Sequence, residues 1–172
     1  RDEQYVFAAN HQGAFDIFAL QGYLRHNFKW MMRKGLTNIP LVGTACRAAG
    51  YVLVDTHSRH GMAQTVKRAE QTLDRGQSLV IFPEGRRTDD GSMGAFKPGA
   101  FKLAAMFSRP IVPISIDGSY GVMSRDSFSI TPGTITITIH EPIQPGTDGH
   151  NVEHVAQRCR DAIAGTLANA ND

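Results

Sequence analysis

Two hydrophobic periods alternate along the chain, and each predicts a different element. Short apolar runs bounded by turn residues are typical of buried strands. A strict alternation of threonine and isoleucine over 134–139 predicts a half-exposed strand near the edge of a sheet. The predicted buried strands are Tyr5–Ala9, Phe28–Met32, Tyr51–Val54, Ser78–Phe82 and Ile111–Ile116.

Helical periods lie between these strands. From Gly61 to Arg75, apolar and small side chains recur at steps of three and four, as on one face of an amphipathic helix. Further helices are predicted over Asp16–His26, Pro40–Ala49, Gly99–Ser108 and Asn151–Leu167. Strands that alternate with helices predict an α/β layered domain with a mostly parallel or mixed central sheet flanked by helices.

Length and composition narrow the class of protein. The 172 residues suffice for one domain without repeats, so residues 1–172 are expected to form a single domain. A net charge of +2 is too small to indicate nucleic acid as a partner. Cys46 and Cys159 are too few for a disulfide framework and are predicted to be buried free thiols. No apolar run approaches the roughly 20 residues of a membrane span.

Basic residues gather in short clusters along the chain. Such clusters suit a small anionic ligand or an anionic membrane surface, although isolated surface cations are usually only solvated. The clustered residues are Arg33, Lys34, Arg59, Arg86, Arg87 and Lys97.

The stretch NHQGAFD, residues 10–16, places a histidine and an aspartate five positions apart. That spacing puts the two side chains on one face of neither a strand nor a helix, so they can meet only if the backbone turns, as Gly13 permits. A carboxylate on one ring nitrogen of His11 would fix its tautomer and leave the other nitrogen to accept a proton. The alternative is a structural histidine beside an Asp16 that opens a helix.

No nucleophile accompanies this pair. The stretch DGSYG has Asp117 where a G-x-S-x-G nucleophile turn needs glycine. A base at His11 would therefore act directly on a hydroxyl group of the substrate.

Polar clusters follow the first, third, fourth and fifth predicted strands, where the loops of an α/β sheet usually carry its site. In FPEGRRT, two arginines could bind a phosphate, and Glu84 could receive a substrate hydroxyl or hold an arginine; a surface salt-bridge loop is the alternative. In DTHSRH, Asp55, His57 and His60 could bind a metal, but their spacing matches no zinc signature. The run FKWMMRK could place Trp30 in a membrane interface, although a strand is favoured.

Together these stretches resemble the glycerolipid acyltransferase family, in its 1-acylglycerol-3-phosphate acyltransferase (PlsC-like) group. NHQGAFD resembles its N-H-x-x-x-x-D block, and FPEGRRT its F-P-E-G-T-R-S block, with Arg86 and Thr88 in place of the usual Thr and Ser. GYVLVD, IVPISIDGS, RKGLTNIPLVG and GAFKPGAFKLA resemble further blocks in the same order. The resemblance runs from about Tyr5 to about Gly118.

The resemblance implies roles for named residues. His11 would be the general base, with Asp16 as its orienting partner. The block that binds the acceptor's glycerol phosphate would comprise Glu84, Gly85 and Arg87. Lys34 and Lys97 match family lysines near the phosphate.

One position departs from the pattern of the family. Thr56 follows Asp55 where the family usually has arginine, and Arg59 is the nearest arginine that could replace it. Two interpretations of this position stay open. Either Arg59 binds the acceptor phosphate in place of the usual arginine, or the recognition of the acceptor has changed.

The resemblance also implies substrates and a location. The donor would be acyl-CoA or acyl-carrier protein as a co-substrate, the acceptor a lysophosphatidate, and no metal or other cofactor would be needed. A membrane surface at the cytoplasmic face would be a partner. We expect an excised domain that lacks the family's N-terminal membrane-anchoring segment.

Three alternatives stay open at this point. The first is an acyltransferase with another acceptor, such as glycerol-3-phosphate or an amino-acid lipid. The second is a non-catalytic domain that binds lipid headgroups. The third is a metallohydrolase built on Asp55, His57 and His60.

Overall fold

The computed structural model describes residues 3–127, 129–145 and 152–169. A 3₁₀ helix, Lys34–Asn38, follows the second strand. The strands are β1 Val6–Ala9, β2 Phe28–Arg33, β3 Val52–Val54, β4 Ser78–Ile81, β5 Ile111–Asp117 and β6 Thr136–Ile139. The helices are α1 Phe15–Tyr23, α2 Val42–Ala48, α3 Arg59–Asp74, α4 Gly99–Met106, α5 Ser119–Val122 and α6 Val152–Asn169.

The six strands form one sheet in the order β3-β2-β4-β1-β5-β6. The first five strands are parallel, and β6 pairs antiparallel with β5. Strand β1 lies inside the sheet, with Val6 opposite Leu79 of β4 and Ile111 of β5. The carboxyl ends of the parallel strands therefore meet at one edge, and the loop after β1 lies at the middle of that edge.

The hydrophobic core occupies both faces of the sheet. Val6 and Ala8 pack with residues of α4 and α6, and Leu79 beside them packs with Ala69 and Leu73 of α3. Phe7 and Ala9 point to the opposite face, where they pack with Leu20 of α1 and with Leu24, the residue that follows this helix. This division follows from the alternation of side chains along each strand.

The fold confirms the predicted class and corrects some boundaries. Trp30 is buried in strand β2, so the strand interpretation of FKWMMRK is right and its membrane interpretation is wrong for Trp30. Both cysteines are buried free thiols as predicted, and burial raises the pKa of Cys159 to about 12. The edge position of β6 is also as predicted.

Helix α1 differs from its prediction at its carboxyl end. The helix ends at Tyr23 because Leu24 has extended backbone angles, whereas the sequence pattern predicted helix to His26. Short helix α5 was not predicted. The start of the last predicted helix, at Asn151, lies outside the described residues.

Candidate active site

The exit of the chain from β1 is fixed by an asparagine. Asn10 is fully buried; its Nδ2 donates to the carbonyl of Ile116 at 2.8 Å, and its Oδ1 accepts from the Ile116 amide at 2.7 Å. The side chain thus continues the hydrogen bonding between β1 and β5 after the backbone has turned away. This leaves the next residue, His11, free to leave the plane of the sheet.

A tight turn then brings His11 and Asp16 together. His11 Nδ1 lies 2.7 Å from Asp16 Oδ2, and the same oxygen accepts from the backbone amides of Gln12 and Gly13 at 2.8 and 3.0 Å. A Cβ at Gly13 would stand 2.5 Å from the carbonyl oxygen of Ser119, so only glycine fits here. The turn expected from the spacing is therefore present.

The carboxylate of Asp16 is inaccessible to solvent. Its side chain is fully buried, and three donors converge on Oδ2. Oδ1 is buried without a hydrogen bond from the described part of the chain. Because hydrogen bonds to one oxygen anchor a buried carboxylate, His11 faces a fixed negative charge.

The imidazole of His11 is held in plane by aromatic stacking. Its ring lies 3.9 Å from that of Phe82, at 8° between planes, and Phe82 in turn stacks on Trp30 at 5.4 Å. The side chain of His11 remains 14% exposed, and no described residue bonds its Nε2. The open nitrogen is therefore available to a substrate.

Glu84 ties the β4 loop to the His11 turn. Its Oε1 accepts from the His11 amide and its Oε2 from the Gly94 amide, each at 2.8 Å. Burial raises the pKa of Glu84, and these two amides oppose that shift. The sequence suggested that Glu84 receives a substrate hydroxyl or holds an arginine. In the described structure its two oxygens bind the backbone amides of His11 and Gly94, so Glu84 fixes the position of His11; a role of Glu84 toward substrate stays a prediction.

Two further bonds close the loop over the site. Thr88 donates its amide to the His11 carbonyl at 3.0 Å, and Gln12 Nε2 donates to the Gly91 carbonyl at 3.0 Å. Both Gln12 and Thr88 are buried. The β1 and β4 loops therefore behave as one hydrogen-bonded unit.

Two basic residues of this unit, Arg87 and Lys97, have charged groups without a bonding partner among the described residues. Within the described residues, neither Arg87 nor Lys97 has a hydrogen bond or ion pair from its charged group, and Arg87 is half-buried. Gly85 has a φ of 74°, and a Cβ there would stand 2.9 Å from Lys97 Nζ, so the glycine makes room for that ammonium. By contrast, Arg86 pairs with Asp89 at 3.1 Å.

The remaining predicted residues lie after β2 and β3. Lys34 Nζ pairs with Asp55 Oδ2 at 2.8 Å, and Lys34 lowers the pKa of that carboxyl. Arg59 is exposed at the start of α3. Since β2 and β3 occupy one end of the sheet and β1 lies beyond β4, these residues are peripheral to the His11 turn.

No metal-binding cluster of three or more His, Cys, Asp or Glu side chains occurs in residues 3–127, 129–145 and 152–169. Asp55 instead bonds Lys34 and the His57 amide. The metallohydrolase hypothesis thus has no ligand set in this part of the chain.

Sequence reasoning missed the residues that hold the site in place. No pattern in the sequence assigned a role in the site to Asn10, Gln12 or Phe82. Their bonds and stacking join positions far apart in the chain, and no local spacing encodes such pairs. The asparagine directly after a buried strand was the one available signal, because a buried amide must find partners.

A family model described as "Acyltransferase" matches residues 1–117. This range contains the His11–Asp16 turn and the whole β4 loop. The chain belongs to the acyltransferase family.

Relatives within this family are similar over nearly the whole chain. The "1-acyl-sn-glycerol-3-phosphate acyltransferase LPAT1, chloroplastic" of Arabidopsis thaliana is 32% identical over 167 residues, covering 96% of this chain and 46% of that protein. A 1-acyl-sn-glycerol-3-phosphate acyltransferase of Helicobacter pylori is 34% identical over 120 residues, covering 69% and 51%. The chain thus spans about half the length of the relatives that it matches.

A solved acyltransferase structure shares the fold. The 1-acyl-sn-glycerophosphate (LPA) acyltransferase PlsC from Thermotoga maritima superposes with a TM-score of 0.76 at 25% identity, covering 96% of this chain and 67% of that one. In the described part of this acyltransferase-family chain, no helix is long and apolar enough to cross a membrane.

Proposed function

We propose that this chain transfers a fatty acyl group from an acyl thioester to the free hydroxyl of lysophosphatidate, which gives phosphatidate. The observation that carries the proposal is the His11–Asp16 pair, 2.7 Å apart, with Nε2 of the histidine open. The names of the relatives support the choice of acceptor, since those proteins are called 1-acyl-sn-glycerol-3-phosphate acyltransferases.

The transfer needs one base and no protein nucleophile. Asp16 holds the proton on Nδ1, so Nε2 of His11 accepts the proton of the acceptor hydroxyl as its oxygen attacks the thioester carbonyl carbon. The new C–O ester bond forms, the C–S bond breaks, and the thiol leaves with the proton returned by His11. Asp16 stabilises the imidazolium formed between these steps.

The acceptor phosphate would be bound by Arg87 and Lys97. Both cations belong to the loop that is bonded to His11 through Thr88 and Glu84. A guanidinium with no protein partner offers its paired donors to phosphate oxygens. Gly85 would contribute by leaving space for Lys97.

Lys34 and Arg59 are assigned weaker roles. Lys34 is engaged by Asp55, and Arg59 lies at the start of α3 beyond it. We propose that they attract the anionic acceptor from a distance. Because Thr56 replaces the arginine that the family usually has, an acyltransferase with glycerol-3-phosphate or an amino-acid lipid as acceptor is retained as the alternative.

The donor is proposed to be acyl-CoA or acyl-carrier protein, and the place of action the cytoplasmic face of a membrane. The lipid nature of the acceptor supports a membrane location. The transfer as written uses the thioester as co-substrate and calls on no further cofactor.

The test is release of free thiol from a long-chain acyl-CoA, with and without lysophosphatidate. We expect acceptor-dependent release that His11→Ala abolishes and His57→Ala, at an exposed histidine after β3, preserves. Phosphatidate formed from labelled acceptor identifies the product. Equal turnover in His11→Ala and the original chain would refute the assignment of the base.

A non-catalytic headgroup-binding domain is the second candidate, because Arg87 and Lys97 would serve a binder equally well. It predicts that His11→Ala leaves lysophosphatidate binding intact and that no thiol is released from either donor. A carrier-protein donor is tested in the same assay before this candidate is accepted.

A further inference from the structure

Exposed apolar side chains are concentrated in one stretch of the chain. Within the described residues, most of the large hydrophobic side chains that are exposed lie between residues 17 and 42. They are Ile17, Phe18, Tyr23, Leu36, Ile39, Leu41 and Val42, against Met62, Met106, Ile130 and Ile139 elsewhere. Single exposed apolar residues are ordinary on a protein surface, but a concentration of them marks an interaction surface.

The part of this stretch that contains its most exposed apolar side chain is residues 36–42, which we call the apolar tip. Leu41 is 85% exposed, more than any other large hydrophobic side chain that the structure describes. Its backbone has φ 66° and ψ −48°, and Val42 donates its amide to the Pro40 carbonyl at 2.8 Å. This is a γ-turn with positive φ, a conformation that strains a residue other than glycine. The fold thus holds a leucine outward in a strained conformation.

The apolar tip is held in place by packing at its base. A Cβ at Gly43 would stand 2.1 Å from the carbonyl oxygen of Thr37, so the 3₁₀ helix and α2 are in close backbone contact. Gly43 also donates its amide to the Ile39 carbonyl at 3.0 Å. The side chains of the tip are therefore presented by a preformed turn.

The charged residues on the stretch of chain that contains the tip are all basic, although one of them, Lys34, is ion-paired with Asp55 at 2.8 Å. Residues 17–54 contain five lysines and arginines and no aspartate or glutamate, namely Arg25, Lys29, Arg33, Lys34 and Arg47. Arg33 and Arg47 lie on either side of the tip, are exposed, and have no ion pair with any residue that the structure describes. Apolar side chains flanked by cations are complementary to an anionic bilayer, which offers a hydrocarbon layer beneath a negative surface.

The position of the tip relates it to the site. It follows β2 through the 3₁₀ helix, so it leaves the same edge of the sheet as the His11 turn. Helix α1, with exposed Ile17 and Phe18, also begins at this edge and is joined to β2 by a bond from Trp30 Nε1 to Gln21 Oε1 of 3.0 Å. Exposed apolar side chains therefore follow two strands, β1 and β2, at the same sheet edge as the His11 turn.

We propose that the apolar tip inserts into the interface of an anionic membrane and holds the His11 edge of the sheet against it. The inference rests on the proposed function in one respect, that the acceptor is a lipid drawn from that membrane. A second copy of the chain, or a segment of a longer protein, would be the occupant if the test below gives no lipid contact.

The first experiment reads insertion directly and does not depend on activity. Leu41→Trp adds a reporter to a chain whose single native tryptophan, Trp30, is 2% exposed. On vesicles of phosphatidylcholine with phosphatidylglycerol, we expect a blue shift and quenching by brominated acyl chains. Ile130→Trp, at a side chain that is 62% exposed elsewhere, should show neither. Equal quenching of both variants, or of neither, would overturn the proposal.

The second experiment separates this inference from the proposed function. Leu41 is 85% exposed, so the Leu41→Asn variant is expected to unfold at about the same temperature as the original chain. It should lose most sedimentation with anionic vesicles and at least tenfold in turnover of vesicle-borne lysophosphatidate, relative to Ile130→Asn. Turnover of a short-chain, water-soluble lysophosphatidate should not change.

The outcomes are distinct. Unchanged vesicle binding in Leu41→Asn refutes the membrane role of the tip whatever the activity. Absence of turnover on both substrates in the original chain refutes the proposed function and leaves the quenching result standing. A concentration-dependent dimer that Leu41→Asn abolishes, without lipid quenching, identifies a second copy as the occupant.

Discussion

The loops after β1 and β4 differ sharply from the segments after β2 and β3, although all four leave the same edge of the sheet. Around His11, buried side chains bond backbone amides across the chain, as Glu84 does to His11 and Gly94. Around Lys34, which is 62% exposed, the ion pair with Asp55 joins two side chains at the surface and binds no residue of the His11 turn, although Asp55 itself is only 14% exposed. Catalysis needs side chains that are held in a fixed geometry, as around His11. Exposed charges and apolar side chains, as around Lys34, are typical of surfaces that attract or contact a binding partner.

The strongest test of this contrast exchanges one carboxylate in each region for its amide. Asp16→Asn keeps an oxygen for the Gln12 and Gly13 amides but removes the charge facing His11, so we expect kcat to fall roughly 10²–10⁴-fold. Asp55→Asn should leave kcat almost unchanged, because Asp55 binds exposed Lys34 and the His57 amide and has no bond to the His11 turn in the described structure. Steady-state kinetics of the two variants, with thermal unfolding as a control, measure the difference. Similar losses in both would remove the distinction between the regions.

A second test addresses how His11 is positioned. In Glu84→Gln the amide group would face a backbone N–H of His11 or Gly94, which leaves a buried donor unpaired at a cost of about 1–3 kcal/mol in the free energy of unfolding. We expect kcat to fall with little change in KM for the acceptor. A rise in KM with kcat intact would show instead that Glu84 binds substrate. Denaturant unfolding supplies the stability measurement.

Neighbouring arginines provide a smaller test. Arg87→Gln should raise KM for lysophosphatidate about tenfold or more, the loss expected for one charge-assisted hydrogen bond to phosphate. Arg86→Gln is the control, since Arg86 pairs with Asp89 at the surface. An acceptor without a phosphate should not distinguish the two variants. If it does, the loss arises from the loop and not from phosphate binding.

The smallest expected effect lies outside both regions. His140 Nε2 is 2.7 Å from Ser115 Oγ, and burial lowers the pKa of His140 below 6.5. The unfolded chain therefore takes up a proton before the folded chain does, so stability should fall as the pH drops through 6.5 towards the lowered pKa. His140→Gln should lack this part of the pH dependence while keeping acyl transfer. Unfolding curves at several pH values check it, and identical slopes in both proteins would contradict it.

The sequence predicted the fold well because the strands and helices carry strong local patterns. The run IVPISI is apolar except for Ser115 because β5 is buried between two neighbouring strands, and the alternation in β6 reflects an edge. Local patterns could not predict the strand order, since β1 pairs with β4 and β5 far along the chain. The domain boundary at 1–172 stays a prediction.

The site was predicted in part, and the difference has a physical reason. The His11–Asp16 pair is close in sequence, so a spacing argument with one glycine sufficed to expect it. The bonds of Glu84 and Asn10 connect residues separated by 73 and 106 positions, and only the folded sheet brings them together. The functional roles of all the predicted site residues stay predictions, namely those of His11, Asp16, Glu84, Gly85, Arg87, Lys34, Lys97 and Arg59.

The two hydrogen bonds between the Asn10 side chain and the Ile116 backbone have a consequence for folding during synthesis of the protein. The strand that leads into His11 is made first, yet its neighbours β4 and β5 follow tens of residues later. Until Ile116 has emerged from the ribosome, the Asn10 side chain lacks the partner that it has in the fold, and β1 can pair only with β4 on one side. The nascent chain therefore carries the His11 turn long before strand β5 and the Asn10–Ile116 hydrogen bonds can hold that turn in place. Such long-range closure slows folding and leaves β1 as a segment for chaperones to protect.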